Sequence, residues 1–435
     1  MVDPTLSDTV DPTLSDTADP TLSDTADPTL SDVDLMDPRT YVDGVPHRYF
    51  AALRAERPVQ WREQAGAPGY WAVTGYDDCV TVNRDWAHYS SHRRSSLALE
   101  LPDEELEQQR LMMINMDPPL HTRYRRLVNR GFNPRMIREL EASIHRATDG
   151  IIDSVCEKGE ADFVTDISAE LPLIVIAELL GVPHGDRHRM FDWSNRMIGS
   201  EDPEYQISPE SATESALELY AYANELFAAK RLHPQDDLMT SLAQVEVEGE
   251  RLSDLELELF FLLLTVAGNE TSRNLMSGAM HAFFEQPDQW QRLVADRSLL
   301  PTAVEEMLRY ITPVMNFRRT ATADVELRGL RIGEGDKVIF FHTSANRDEK
   351  VFDQPQHFDI GRDPNPHIAF GGGGPHFCLG ANLARMEIRV MFEHLLDRMP
   401  DIRPNGTPQR LQSNFINGMK HLPVAFSPTA PVSSS

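Results

Sequence analysis

The stretch Phe370-Gly-Gly-Gly-Gly-Pro-His-Phe-Cys-Leu-Gly380 decides how the rest of the chain is read. Four consecutive glycines, Gly371 to Gly374, open backbone conformations closed to residues that carry a Cβ, and they let the main chain approach a large flat ligand. The N–H groups of such a loop can point at a thiolate sulfur and tune its electron donation. Gly380 then opens a helix whose apolar residues recur at Leu383, Met386, Ile388 and Phe392. Cys378 is thereby set near a helix N-terminus, where a thiolate is electrostatically favoured. Two blander readings compete. One is a glycine-rich turn with an inert buried cysteine. The other is a zinc site, for which only His376 stands nearby as a second ligand.

Working outward, Ser253-Asp-Leu-Glu256 has the form of a capping box, so a helix should start there and Pro287 should end it. Its span of about 30 residues corresponds to roughly 45 Å, enough to cross a domain. Midway lies Ala267-Gly-Asn-Glu-Thr271. Ala267 and Gly268 leave room for a ligand against the helix, while Glu270 and Thr271 offer a carboxylate and a hydroxyl for proton movement. The plainer alternative is a threonine bonded back to its own helix and a locally satisfied glutamate. Glu306 and Arg309 form an i,i+3 pair, which on a helix surface contributes only a few tenths of a kcal/mol. In Asn316-Phe-Arg-Arg-Thr320, either Arg318 or Arg319 could face a site, the other being a strand residue turned to solvent.

The bulk properties narrow the class. A formal net charge of -27 argues against a nucleic-acid binder, since phosphate is repelled across most of the surface. Cys79, Cys156 and Cys378 are odd in number and far apart, so no disulfide framework is visible and a reducing cytoplasm is expected. No basic segment followed by an apolar run opens the chain, and the longest apolar run, Leu255 to Gly268, is interrupted by Glu256 and Glu258; neither a leader nor a membrane anchor is expected. Residues 1–36 are mostly an eight-residue repeat, VDPTLSDT, with too few apolar positions to offset ordering entropy, and are expected to be a disordered acidic tail. A single domain over 37–428 and a flexible end over 429–435 complete the organisation. Helical patterns dominate, with Met136–Val155 and Ala212–Arg231 long amphipathic stretches, and strand signals are short: Tyr70–Thr74, Val325–Leu327 and Lys337–Phe341. The expected fold class is therefore mainly α with small β-sheets.

Taken in order, these segments resemble the cytochrome P-450 family, and the resemblance extends over Pro38 to Ser427, including Asn346-Arg-Asp348, Val351-Phe352, Pro355, Phe358-Asp359 and Arg362. Phe370 stands eight residues before the cysteine where seven is commonest. The resemblance implies a single large domain with haem b held between a long central helix and the cysteine loop. It implies Cys378 as the iron ligand, with His121, Arg125, Ala267, Gly268, Arg319, Phe370, Gly371, His376 and Gly380 against the cofactor. Glu270 and Thr271 would be catalytic, and Glu306 with Arg309 a structural ion pair. The implied activity is insertion of one atom of O2 into a C–H bond of a hydrophobic substrate, with electrons from a ferredoxin and its reductase. Leu111–His121, Phe191–Asn195 and Ser200–Tyr205 are similar to bacterial steroid hydroxylases acting on the terminal side-chain methyl of cholesterol or cholest-4-en-3-one. The alternatives are a terpenoid hydroxylase of the linalool or terpineol type and a non-enzymatic haem sensor or carrier; the Glu270–Thr271 pair favours an enzyme. Val266, Val314, Met315, Phe415 and Ile416 are candidate pocket residues by position.

Helical geometry adds one expectation over 120–131. Leu120, Tyr124, Leu127, Val128 and Gly131 share an inward face. Arg123, Arg126 and Arg130 form a stripe on the opposite side, a candidate docking surface for an acidic ferredoxin.

Overall fold

The computed structural model describes residues 33–432, apart from 132–133, 200, 207, 209 and 247–248; the side chains of 130–139 and 198 also lie outside the described residues. Nine helices position the site: α1 (Tyr76–Arg84), α2 (Leu120–Gly131), α3 (Pro134–Val155), α4 (Glu170–Leu180), α5 (Arg187–Ile198), α6 (Ser211–Leu232), α7 (Asp254–Glu285), α8 (Leu300–Ile311) and α9 (Ala381–Arg398). A peripheral sheet is built from β1 (Val59–Gln64), β2 (Ala67–Val73), β3 (Tyr89–Ser90), β4 (Asn316–Ala321) and β5 (Lys337–Phe341), in the order β1-β2-β5-β4-β3.

The axis of the molecule is α7. Both halves of its capping box form: the Ser253 hydroxyl accepts from the Glu256 N–H, and the Glu256 carboxylate accepts from the Ser253 N–H. Its 32 residues extend about 48 Å. Pro287 serves both as stop signal and as the first residue of the next helix. Side chains are buried around much of its circumference, including Leu257, Phe261, Asn274, Met276 and Phe283, because α4, α5, α6, α8 and α9 all pack on it. At its C-terminal end Phe283 meets Phe358 and Phe392 at centroid distances of 5.0 and 5.8 Å, joining α7, the 346–365 segment and α9 in one core.

In the sheet, β4 pairs antiparallel with β5, Phe317 opposite Phe340 and Arg319 opposite Val338. Strand alternation then separates the two arginines. Arg319 shares a face with Phe317 and Phe340, whereas Arg318 turns the other way and pairs with Glu100 at 2.9 Å. Arg318 is buried, not solvated.

The boundaries differ from the sequence reading in places. The two 22-residue helices, α3 and α6, begin and end within two residues of expectation. Residues 33–36 pack on the domain: Leu35 and Met36 are buried against Tyr49 and Phe50, and Met36 O accepts from Asn414. The remaining tail, 1–32, lies outside the described residues. At the other end, Thr429 donates to Cys156 O, Ala430 O accepts from Arg398, and Val432 donates to Asp153, so 429–432 is tied down where a flexible end was expected. Leu120 is 42% exposed, and the inward face of α2 consists of Tyr124, Leu127 and Val128.

Candidate active site

The glycine loop folds back just before α9. Gly371 donates to Ile368 O and Cys378 to Phe370 O, both at 2.9 Å. Gly371, Gly373 and Gly374 sit at φ +87°, +96° and +80°, a region that residues with side chains avoid. Gly374 also runs against α1: a Cβ there would lie 3.0 Å from Asn83 O. Phe370 is capped by the Arg385 guanidinium 4.6 Å above its ring, and Arg385 is fixed in turn by Glu305. The extra residue between Phe370 and the cysteine thus leaves the ring packed at the loop's base.

Cys378 presents accessible surface, and that surface belongs to a cavity. Burial pushes its thiol upward, while the Gly380 N–H and the charges of Arg125 and Arg385 act in the opposite sense. The cavity encloses about 1550 Å³ of empty space, its mouth included. Cys378, Leu379, Gly380 and Leu383 form one wall; Ala267, Gly268 and Thr271 of α7 belong to another. Gly268 is needed for close approach, since a Cβ there would fall 2.3 Å from Ile176 Cδ1 of α4.

His121, Arg125, Arg319, His376, Phe370 and Gly371 all line this same cavity. The His121 and His376 rings lie 4.3 Å apart, and burial lowers the pKa of His121 to about 4, with Arg125 adding to the effect. Arg319 donates to Arg318 O and to Asn83, both neutral oxygens, and burial lowers its pKa to about 10. Among the described lining residues the one acid is Glu387. It is 2% exposed, one carboxylate oxygen has no partner, and burial raises its pKa to about 7 against a hydrogen bond from Ser272. The cavity therefore holds two arginines and little anionic charge of its own.

Glu270 and Thr271 separate. Thr271 reaches the cavity, with its hydroxyl also donating to Ala267 O at 2.8 Å, so the back-bonded arrangement and the cavity-facing one coexist. Glu270 turns toward α5. It pairs with Arg273 and accepts from Ser194, and Arg273 donates to Asn195 at 2.7 Å. Glu306 and Arg309 are both fully buried and bidentate, with two contacts of 2.8 Å, so the solvent-exposed alternative does not hold.

A match to the Cytochrome P450 family covers residues 218–412. A steroid C26-monooxygenase of Mycobacterium tuberculosis is 42% identical over 92% of this chain and 94% of its own length. The steroid C26-monooxygenase of Rhodococcus jostii is 42% identical over 90% and 84%. A methyl-branched lipid omega-hydroxylase of Mycobacterium tuberculosis is 41% identical over 88% and 92%. Among solved structures, a Mycobacterium marinum cytochrome P450 in complex with pseudoionone superposes with a TM-score of 0.81 at 40% identity, covering 87% of this chain and 94% of that one. The chain belongs to the cytochrome P450 family.

This P450 is accordingly a haem-thiolate monooxygenase that takes a hydrophobic substrate and draws electrons from a redox partner. Among the described residues no helix is long and apolar enough to cross a membrane. The cavity fits the cofactor on its own terms: a thiol on one wall, a small-residue groove opposite, and arginines without acidic partners where the haem carboxylates need them. Of the five residues expected at the pocket, only Val314 lines the cavity; Val266, Met315, Phe415 and Ile416 are not in its lining. Val314 bridges to Ile416, and Phe415 packs on Phe317, which keeps those side chains one layer back. The lining instead comes from Met113, Ile114, Ile176, Leu179, Phe260, Leu263, Leu264, Phe317 and His342. Phe260, Leu263, Leu264 and Ala267 follow the i, i+3, i+4, i+7 spacing of one helical stripe, a signal the sequence did carry. No comparable pattern marks Ile176 or His342.

The arginine stripe needs correction. Arg123 is engaged with Glu250, Glu256 and Arg251 O, so it is not an open cation. The Arg130 side chain lies outside the described residues.

Proposed function

We propose that this P450 hydroxylates the terminal methyl group of a steroid side chain. The observation that carries the reading is an apolar cavity (Ile176, Leu179, Phe260, Leu263, Leu264, Val314) that also takes in Cys378 and Ala267, Gly268 and Thr271 of α7. A tertiary C–H beside a terminal methyl is the weaker bond, so methyl oxidation demands walls that admit the chain end-on. Ile176 lies close against Gly268, so it is a candidate for such a wall. Relatives named for C26 oxidation of steroids and omega-hydroxylation of branched lipids support the same regiochemistry.

On this reading Cys378 ligates the iron, and Arg125, His121, Arg319 and His376 take the haem carboxylates. When bound, the haem supplies O2 activation and the oxidant. Thr271 holds a proton donor position at the cavity, and Glu270, released from Arg273, exchanges protons with it. The electron donor is a ferredoxin with its reductase, and the compartment is the cytoplasm.

Cholest-4-en-3-one should give a high-spin shift and a product oxidised at a terminal methyl, read by absorbance and mass spectrometry. Turnover of linalool with no sterol response would overturn the assignment in favour of a terpenoid. Cys378→His should abolish the long-wavelength carbon-monoxide band of the reduced enzyme. Thr271→Ala should still bind sterol but release reduced oxygen as peroxide, with hydroxylation down on the order of 10²-fold.

A further inference from the structure

His342 follows directly on β5 and continues the face that carries Phe317, Phe340 and Arg319. Its ring is 2% exposed and lines the cavity. It is clamped edge-on by Phe340 at 5.2 Å and Phe317 at 5.8 Å. Neither ring nitrogen has a hydrogen-bond partner; the Val314 carbonyl lies alongside without hydrogen-bond geometry. Buried polar groups are rarely left idle, because each forfeits its hydration. Burial and the neighbouring Arg319 charge lower the ring's pKa to about 3, so the imidazole is neutral and offers one N–H.

Arg319 carries the matching deficit. It is 3% exposed, and its contacts are to neutral oxygens of Arg318 and Asn83. The wall from His342 to Arg319 therefore presents an N–H and a cation to the cavity with no carboxylate bonded to either. An apolar substrate would answer neither need, and a substrate hydroxyl or ketone would leave the arginine unmatched. A carboxylate answers both.

We propose that His342 donates a hydrogen bond to the haem carboxylate that Arg319 neutralises, which makes it a positioning residue for the cofactor and not a substrate contact. The inference rests on the reading that haem occupies this cavity.

The holoenzyme tests it without turnover. Resonance Raman of the ferric, substrate-free protein reports the propionate bending band, and transfer to excess apomyoglobin reports haem loss. His342→Leu, of similar volume, should move the band and speed haem loss on the order of tenfold. His342→Gln, which keeps a donor, should return haem loss to near the native rate. The thiolate carbon-monoxide band should persist throughout; its absence from the native protein would overturn the haem-thiolate reading, and this proposal with it, whereas its presence with an unmoved propionate band overturns this proposal alone. If His342→Leu accumulates no haem, His342→Gln carries the test, because a changed donor must still displace the band. An unmoved band in both variants overturns the proposal. So does a change confined to sterol affinity, which would make His342 a substrate contact.

Discussion

Two glutamate–arginine pairs with the same i,i+3 spacing hold opposite regions of this P450, and they are built differently. Glu306 and Arg309, on α8, are held by each other, by four backbone groups and by the side chains of Arg362 and Asn365. Arg309 donates to the carbonyls of Asn346, Pro355 and His357, and Glu306 accepts from the Asp359 N–H, Arg362 and Asn365. That pair fixes the course of the chain leading into the cysteine loop. Glu270 and Arg273, on α7, depend on side chains of another helix, Ser194 and Asn195 of α5, and Arg273 Nε has no partner. A pair anchored on backbone is a fastening. A pair anchored on side chains of another helix is more easily released, which suits the proton exchange proposed for Glu270.

The sharpest way to break the contrast is Glu306→Ala. It leaves Arg309 charged, buried and unmatched, for an expected loss of about 3–5 kcal/mol, read from denaturation midpoints and haem content. The Glu306→Ala, Arg309→Ala double variant should cost much less than the sum of the singles. Next comes Glu387, a buried acid with no arginine to pair with. Its pKa is raised to about 7 from 4.5, so the folded state holds its proton longer than the unfolded chain. Stability is therefore unpenalised below about pH 4.5 and falls as pH rises through 7, by about 3 kcal/mol in total. Glu387→Gln should flatten that slope and raise the denaturation midpoint at pH 8; an unchanged pH profile would show that the carboxyl is not buried as described.

The same pairs explain what was legible in the sequence. Cys378 and His376 were legible as neighbours in one loop because rare residue types at fixed offsets in a glycine-rich frame admit few structures. Arg318 and Arg319 were separable only once strand register was known, since alternation decides which one faces the cavity. An i,i+3 Glu–Arg spacing reads identically for Glu306 and Glu270, yet burial and partners, which depend on distant segments, give the two pairs different work. The substrate wall was the least legible part. Ile176 and Val314 reach it from elements about 140 residues apart, and Met315 is apolar in the same way as Val314 but faces the layer behind. The cofactor frame is written as motif, whereas the pocket is written as packing.

A middle-sized effect sharpens the α7 side of the comparison. Asn195→Ala removes the acceptor for Arg273 Nη1 and should cost about 2 kcal/mol. Because the Glu270 pair then loses a support on α5, the variant should also alter the solvent isotope effect on turnover. A Glu306-side variant that still folds, such as Asn365→Ala, should leave that isotope effect unchanged. Identical isotope effects in both would mean that the Glu270 pair is as fixed as the Glu306 pair.

The smallest expected effect concerns Arg123, and it separates architecture from docking. Arg123 bridges α2 to Glu250 and to Glu256, the residue that closes the capping box of α7. Its side chain is 29% exposed, so screening and side-chain entropy cut the value of these pairs, and Arg123→Ala should cost less than about 1 kcal/mol. Its charge is already engaged by two carboxylates, so it offers little field to an approaching acidic partner. Arg126 is exposed on the same helix. Charge reversal at Arg126 should slow reduction by ferredoxin, most strongly at low ionic strength, because steering between separated charges fades with salt. Arg123→Ala should leave those kinetics near native at every salt concentration while slightly lowering the denaturation midpoint. If instead Arg123→Ala slowed ferredoxin reduction with the steeper salt dependence, the carboxylates around Arg123 would have to open on docking, and the bridge would belong to the partner surface and not to the frame of α7.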